Sequence, residues 1–103
     1  MIQLRLDTNT LFLDGDLEHG DIALLETALP AHLATIRSLD CMDLDIEDGA
    51  ALACLARVLK DAARAGRITI HGAPQLLAHT LYRVNALDRF DWPALRWDEA
   101  STQ

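Results

Sequence analysis

The chain has 103 residues, half of them apolar and a quarter charged, with 16 acids against 9 bases and a formal net charge of −7. That length fits one domain and that balance fits a packed core in place of disorder. The composition argues against a membrane-inserted segment, a scaffold stapled by Cys41 and Cys54, and a nucleic-acid binder, since phosphates are neutralised by clustered Lys and Arg. Residues 1–10 lack the basic start and long apolar centre of a signal peptide, so the expected location is cytoplasmic, with the cysteines as ordinary thiols.

In chain order, Ile2-Gln3-Leu4-Arg5-Leu6 alternates with period 2 and predicts a half-buried strand. Asp7-Thr8-Asn9 is turn chemistry, and Thr10 to Leu13 predicts a second strand closed by Asp14-Gly15-Asp16, together a hairpin. Ile22, Leu25 and Leu29 recur at helical spacing, with Asp21 placed to cap the first turn and Pro30 where the helix should stop. Leu33 to Leu39, with β-branched Thr35 and Ile36, predicts a strand. The acidic segment Asp40 to Asp48 follows.

Leu52, Leu55, Val58, Leu59 and Ala62 form one apolar stripe, with Arg57, Lys60, Asp61 and Arg64 facing away, which predicts an amphipathic helix over 49–64. Gly66 is its expected left-handed stop. Arg67 to His71 predicts a short strand, Gly72-Ala73-Pro74 a turn with Pro74 at the first helical position, and Leu77, Leu81 and Val84 another helix ending near Asn85. Ala86 to Phe90 can make one more turn. The segment from Asp91 has no clear period. The order β-β-α-β-α-β-α predicts a mixed sheet, its later strands parallel through right-handed crossovers.

Charge is unevenly spread: residues 1–50 net −9 and residues 51–103 net +2. Either the solvated faces simply differ, or the acids make an electrostatic docking surface.

Several chemistries fail on spacing. Asp43-x-Asp45-x-Glu47 lacks the glycine and the final glutamate of a calcium loop, where Asp48 and Cys54 stand. The same pattern resembles hydrolases with an aspartate nucleophile, whose fold is much larger. No two of His19, His32, His71 and His79 share a helix face at i, i+4, and Cys41 and Cys54 form no C-x-x-C. A Cys–His nucleophile pair stays open, because such partners meet only in the fold. No phosphate loop, dinucleotide fingerprint or nucleophile elbow is present. The reading is therefore non-enzymatic, with no catalytic residue, metal ligand or cofactor assigned.

One constellation is more specific. A strand ends at Asp40, and eight residues later Asp48 opens a helix rich in Ala and Leu, in Leu39-Asp40-Cys41-Met42-Asp43-Leu44-Asp45-Ile46-Glu47-Asp48-Gly49-Ala50-Ala51-Leu52. This resembles the STAS domain of sulphate transporters and anti-sigma-factor antagonists. Asp40, Leu44, Asp48, Leu52 and Leu55 match its pattern, as does Gly15 after the second strand. Arg67–Pro74 looks like its fourth strand with the turn beyond, and Leu77–Phe90 like its terminal helices. The resemblance covers about residues 2–91. It implies a single-domain α/β fold, a STAS-like mixed β-sheet with an N-terminal hairpin, then β-α units, and helices mainly on one face. Residues 1–91 would be that domain and residues 92–103 a C-terminal tail.

In STAS antagonists the hydroxyl residue after the second Asp is phosphorylated. Here that stretch is Gly49-Ala50-Ala51, so Gly49 and Ala50 stand as a non-functional equivalent of the acceptor. An alignment shifted by one residue instead makes Asp48 a permanent mimic of the charged form; the unshifted one keeps both leucines. Glu47 replaces a usual apolar residue, which puts the local strand in doubt. Physically, Asp48 serves as a helix cap, and Asp43, Asp45, Glu47 and Asp48 can form an acidic rim that steers a basic partner.

The resemblance implies a regulatory adaptor that docks a protein partner through residues 40–48 and the start of the 49–64 helix, with Asp43, Asp45, Glu47, Asp48, Gly49 and Ala50 as contacts. Two partner classes follow from it: a histidine-kinase-type anti-sigma factor or regulator, within a partner-switching pathway, and the ATPase of a lipid-transport ABC system, which carries a small STAS subunit. The other reading is a small-ligand or nucleotide-binding STAS domain, which the acidic segment disfavours by repelling phosphates. Met42 reads as a core plug over an adaptable contact. Trp92 and Trp97 read as packing over partner anchors. Tyr82 lies off its helix's stripe.

Overall fold

The computed structural model describes residues 1–96. The N-terminal hairpin is formed by β1 (Ile2–Asp7) and β2 (Thr10–Leu17), antiparallel, with Thr8 in the turn at φ 57°. β2 runs past the Asp14-Gly15-Asp16 segment that the sequence reads as its end. Gly15 makes this possible: it sits at φ +106°, and a Cβ there would stand 2.7 Å from the Met1 carbonyl oxygen.

After β2 a single 3-10 turn leads into α1 (Ile22–Thr27) and α2 (Leu29–Leu33). Two sequence expectations are corrected here. Pro30 stands in the first turn of α2, where its missing N–H costs nothing, so it begins a helix in place of stopping one. Asp21 does not cap α1. Its buried carboxylate accepts from the Ile2 N–H at 3.2 Å and the Glu18 N–H at 2.8 Å, tying the start of β1 to the end of β2. Leu33 belongs to α2 and Thr35 bonds back to the His32 carbonyl, so β3 is only Ser38–Asp40.

The chain then steps outward over 41–43 and forms β4 (Leu44–Ile46). β2 is shared between the two: Thr10–Phe12 pairs with β3 and Gly15–Leu17 with β4, both parallel. α3 (Gly49–Ala62) follows and ends in a 3-10 turn before Gly66. Gly66 adopts φ 155°, ψ 169°, a stop by extended glycine backbone and not the left-handed one expected.

β5 (Ile68–Pro74) absorbs Gly72-Ala73-Pro74, read from sequence as a turn. Pro74 precedes α4 (Gln75–Arg83) as its cap residue, not its first helical one. Asn85 at φ 62° ends that helix region. Val84 is exposed and leaves the stripe, while Ala86 is buried in its place. A 3-10 turn over Leu87–Arg89 then feeds β6 (Phe90–Arg96), parallel to β5. Residues 92–96, assigned by sequence to a tail, thus continue the sheet. Pro93 is tolerated there because β6 is an edge strand.

The sheet order is β1-β2-β3-β5-β6, with β4 on β2. This is the mixed α/β sheet expected. α3 packs against α1, α2 and α4, and the inward side chains of the strands (Leu11, Leu13, Leu17, Leu39, Ile68, Ile70) meet Leu55 and Leu59 from α3 in one apolar core. Trp92 is half-buried; its Nε1–H donates to the Leu87 carbonyl at 2.9 Å and its ring lies 5.8 Å from that of Phe90, a packing role. Trp97 lies outside the described residues. Leu55 is fully buried, so Leu55→Ala should destabilise the fold by about 2–5 kcal/mol in urea unfolding, and a change below about 0.5 kcal/mol would contradict this packing.

Candidate functional site

The junction from β4 into α3 is built by alternation. In Asp43-Leu44-Asp45-Ile46-Glu47 the apolar residues turn inward, Leu44 buried and Ile46 half-buried against the core, and the three acids are exposed. Burying leucine and isoleucine on one side forces the carboxylates to the other, as in any strand with one face in water. The Glu47 substitution does not break the strand pairing: the Glu47 N–H donates to the Leu17 carbonyl at 2.9 Å.

The step from β3 to β4 is fixed by local hydrogen bonds. Asp40 Oδ1 accepts from the Met42 N–H at 2.9 Å, and the Leu44 N–H donates to the Cys41 carbonyl at 3.1 Å. The Gly15 N–H donates to the Asp43 carbonyl at 2.9 Å, so the glycine in β2 also anchors the acidic segment. Met42 is 53% exposed, which corrects its expected place in the core. It lies across Gly72, where any side chain would run into the Met42 sulfur.

Asp48 caps α3: its Oδ2 accepts from the Ala51 N–H at 2.8 Å, from extended backbone at φ −142°, ψ 130°. His19 Nδ1, on the turn after β2, lies 3.4 Å from the same oxygen. Asp48 is thus committed to the helix start, while Gly49 and Ala50 beside it are exposed. The structure places the six sequence-derived candidate residues in different environments. Asp43, Asp45 and Glu47 point to solvent, Asp48 organises, and Gly49 and Ala50 present bare helix backbone.

The sequence reading missed one member of this surface. Asp16 pairs in register with Asp45 across the parallel β2–β4 ladder and is exposed. The signal was available in the period-2 alternation of residues 43–47, which marks a strand that must find a neighbour. None of Asp16, Asp43, Asp45 and Glu47 makes an ion pair among the described residues.

The remaining chemistry-bearing side chains lie elsewhere. Cys41 and Cys54 are both buried thiols. Burial pushes the Cys54 thiol up, partly offset by Arg57, the opposite of what a nucleophile needs. Among the described residues, no three His, Cys, Asp or Glu side chains are placed to hold a metal ion.

No protein-family model matches the chain, and no curated protein does. Among solved structures, it is similar to the anti-sigma factor antagonist SpoIIAA in its unphosphorylated form, with a TM-score of 0.56 over 99% of this chain and 92% of that one, at 14% sequence identity. The likeness shows the fold: a STAS-like domain. No helix of the described residues is long and apolar enough to cross a membrane.

The capping role of Asp48 has a measurable consequence. Asp48→Ala should cost about 0.5–2 kcal/mol in urea unfolding, with Asp48→Asn recovering most of it, because the amide oxygen still accepts the Ala51 N–H.

Proposed function

We propose that this chain is a non-enzymatic, regulatory protein-interaction domain of STAS type, which docks a partner through residues 40–48 and the start of α3. The observation that carries this reading is the exposed acidic row of Asp43, Asp45 and Glu47, with Asp16 beside it, without an ion pair among the described residues and adjoining the exposed start of α3. Asp48, Gly49 and Ala50 complete the contact surface. The likeness in fold to an anti-sigma factor antagonist supports a regulatory role.

A switch by phosphorylation at this junction has no acceptor, since residues 48–52 are Asp-Gly-Ala-Ala-Leu. A phosphate would add about −1.5 to −2 charges at the helix start. Here a carboxylate already occupies the cap and three more stand alongside. The domain is then a constitutively docked member of its fold. The partner is cationic at the contact, and its two classes are a histidine-kinase-type anti-sigma factor or regulator and the ATPase of a lipid-transport ABC system. Work in the cytoplasm suits both classes.

The test is affinity capture from native lysate at low and moderate salt, followed by association kinetics with the captured partner. Asp43→Lys combined with Asp45→Lys should slow association and flatten its salt dependence, because steering by fixed charge acts on the on-rate; an unchanged on-rate removes the acidic row from the contact. No phosphate should enter residues 48–52 when the captured partner is supplied with ATP, and a phosphopeptide from that stretch would overturn the constitutive reading.

A further inference from the structure

A cleft of about 520 Å³ opens between the Pro30–Arg37 segment and the C-terminal half of α3. Pro30, Leu33, Val58 and Ala62 give it an apolar floor. Three of the chain's nine basic residues, Arg37, Arg57 and Arg64, line it together with two acids, Glu26 and Asp61, so the lining is net positive in a protein of net charge −7. Two of them are already matched: Arg57 contacts Glu26 at 3.1 Å and Arg64 contacts Asp61 at 3.6 Å.

Arg37 is different. It is half-buried, and among the described residues no carboxylate lies within ion-pair distance of it. Its Nη1 donates to the Leu33 carbonyl at 2.9 Å and the Ile36 carbonyl at 3.0 Å, which locks the guanidinium in place at the end of α2. Its Nε and Nη2, the parallel pair that grips a carboxylate in two-point fashion, carry no protein hydrogen bond among the described residues. Gly66 avoids crowding Nε: a Cβ at this position would stand 3.3 Å from it. A fixed arginine with its bidentate edge free, at the rim of an apolar cleft, is the arrangement that selects a small molecule with one charged head and an apolar body.

We infer that this cleft binds a small amphipathic carboxylate, its head on the Nε/Nη2 edge of Arg37 and its apolar body over Pro30, Val58 and Ala62. The site is distinct from residues 40–50 and stands whether or not that segment docks a partner.

Octanoate is the probe, with octanol as its uncharged counterpart, titrated into the labelled full chain and followed by amide chemical shifts. Octanoate should give saturable shifts confined to residues 30–37 and 57–66, and octanol should bind at least about tenfold more weakly, roughly 1.4 kcal/mol. Arg37→Lys keeps the charge but loses the two-point edge, so octanoate should weaken by about tenfold while octanol is unchanged. Ala65→Trp, at an exposed wall residue, should abolish both by filling the cleft. The inference is overturned by any of five results: no saturable shift with octanoate, octanol binding as tightly, shifts centred on 40–50, undiminished octanoate binding by the Arg37→Lys protein, or full octanoate binding by the Ala65→Trp protein.

Discussion

The hydrogen bond from the Ala51 N–H to the Asp48 carboxylate, at 2.8 Å, sets where the sheet stops and α3 begins. Without it the Ala51 N–H, at the edge of the buried face, would lose its side-chain acceptor. With the start fixed, Ala51, Leu52, Leu55 and Leu59 fall on the face that covers the sheet, and α1, α2 and α4 can gather around α3. Before Asp48, pairing with β2 holds residues 44–46 extended, and the alternating acids are carried to the outside.

That geometry explains why an acidic stretch is tolerated next to a hydrophobic core. Leu44 and Ile46 supply the inward contacts, while pairing with Gly15–Leu17 satisfies the backbone. The carboxylates remain hydrated, so no desolvation cost arises. Like charges at Asp16 and Asp45, adjacent across the ladder, repel weakly in water. A cationic partner would relieve that repulsion, which links the local fold to the interaction proposed for it.

How much was legible in the sequence follows from range. α3 and its cap are local: the stripe at helical spacing and an Asp before it are sufficient, and both stand in the structure. The hairpin is local too. Asp21 was misread because its partners, the Ile2 and Glu18 N–H groups, are set by the fold and not by helix chemistry. Pro30 suits a helix start as well as a helix stop, and only packing decides. β4 was hidden by composition, since its alternation sits in a segment that reads as a solvated loop. β6 carries Pro93 and shifts of register against β5, so no period marks it. The acidic row was visible residue by residue, but Asp16 could join it only once β2 and β4 were neighbours.

The negative surface persists because six of the nine basic residues are engaged away from it. Arg5, Arg57, Arg64 and Arg67 each contact an acid away from the junction: Asp14, Glu26, Asp61 and Asp91. Lys60 Nζ donates to the Val84 carbonyl at 2.9 Å, and Arg37 serves the carbonyls at the end of α2, so these two cations neutralise helix ends and not carboxylates. With these six cations so disposed, none of them pairs with Asp16, Asp43, Asp45 or Glu47. The uneven charge of the two sequence halves is therefore converted by topology into a directed one, acids at the start of α3 and arginines near its end. That orientation matches the helix's own dipole at both ends, so the distribution that would steer a partner also favours the helix presenting it.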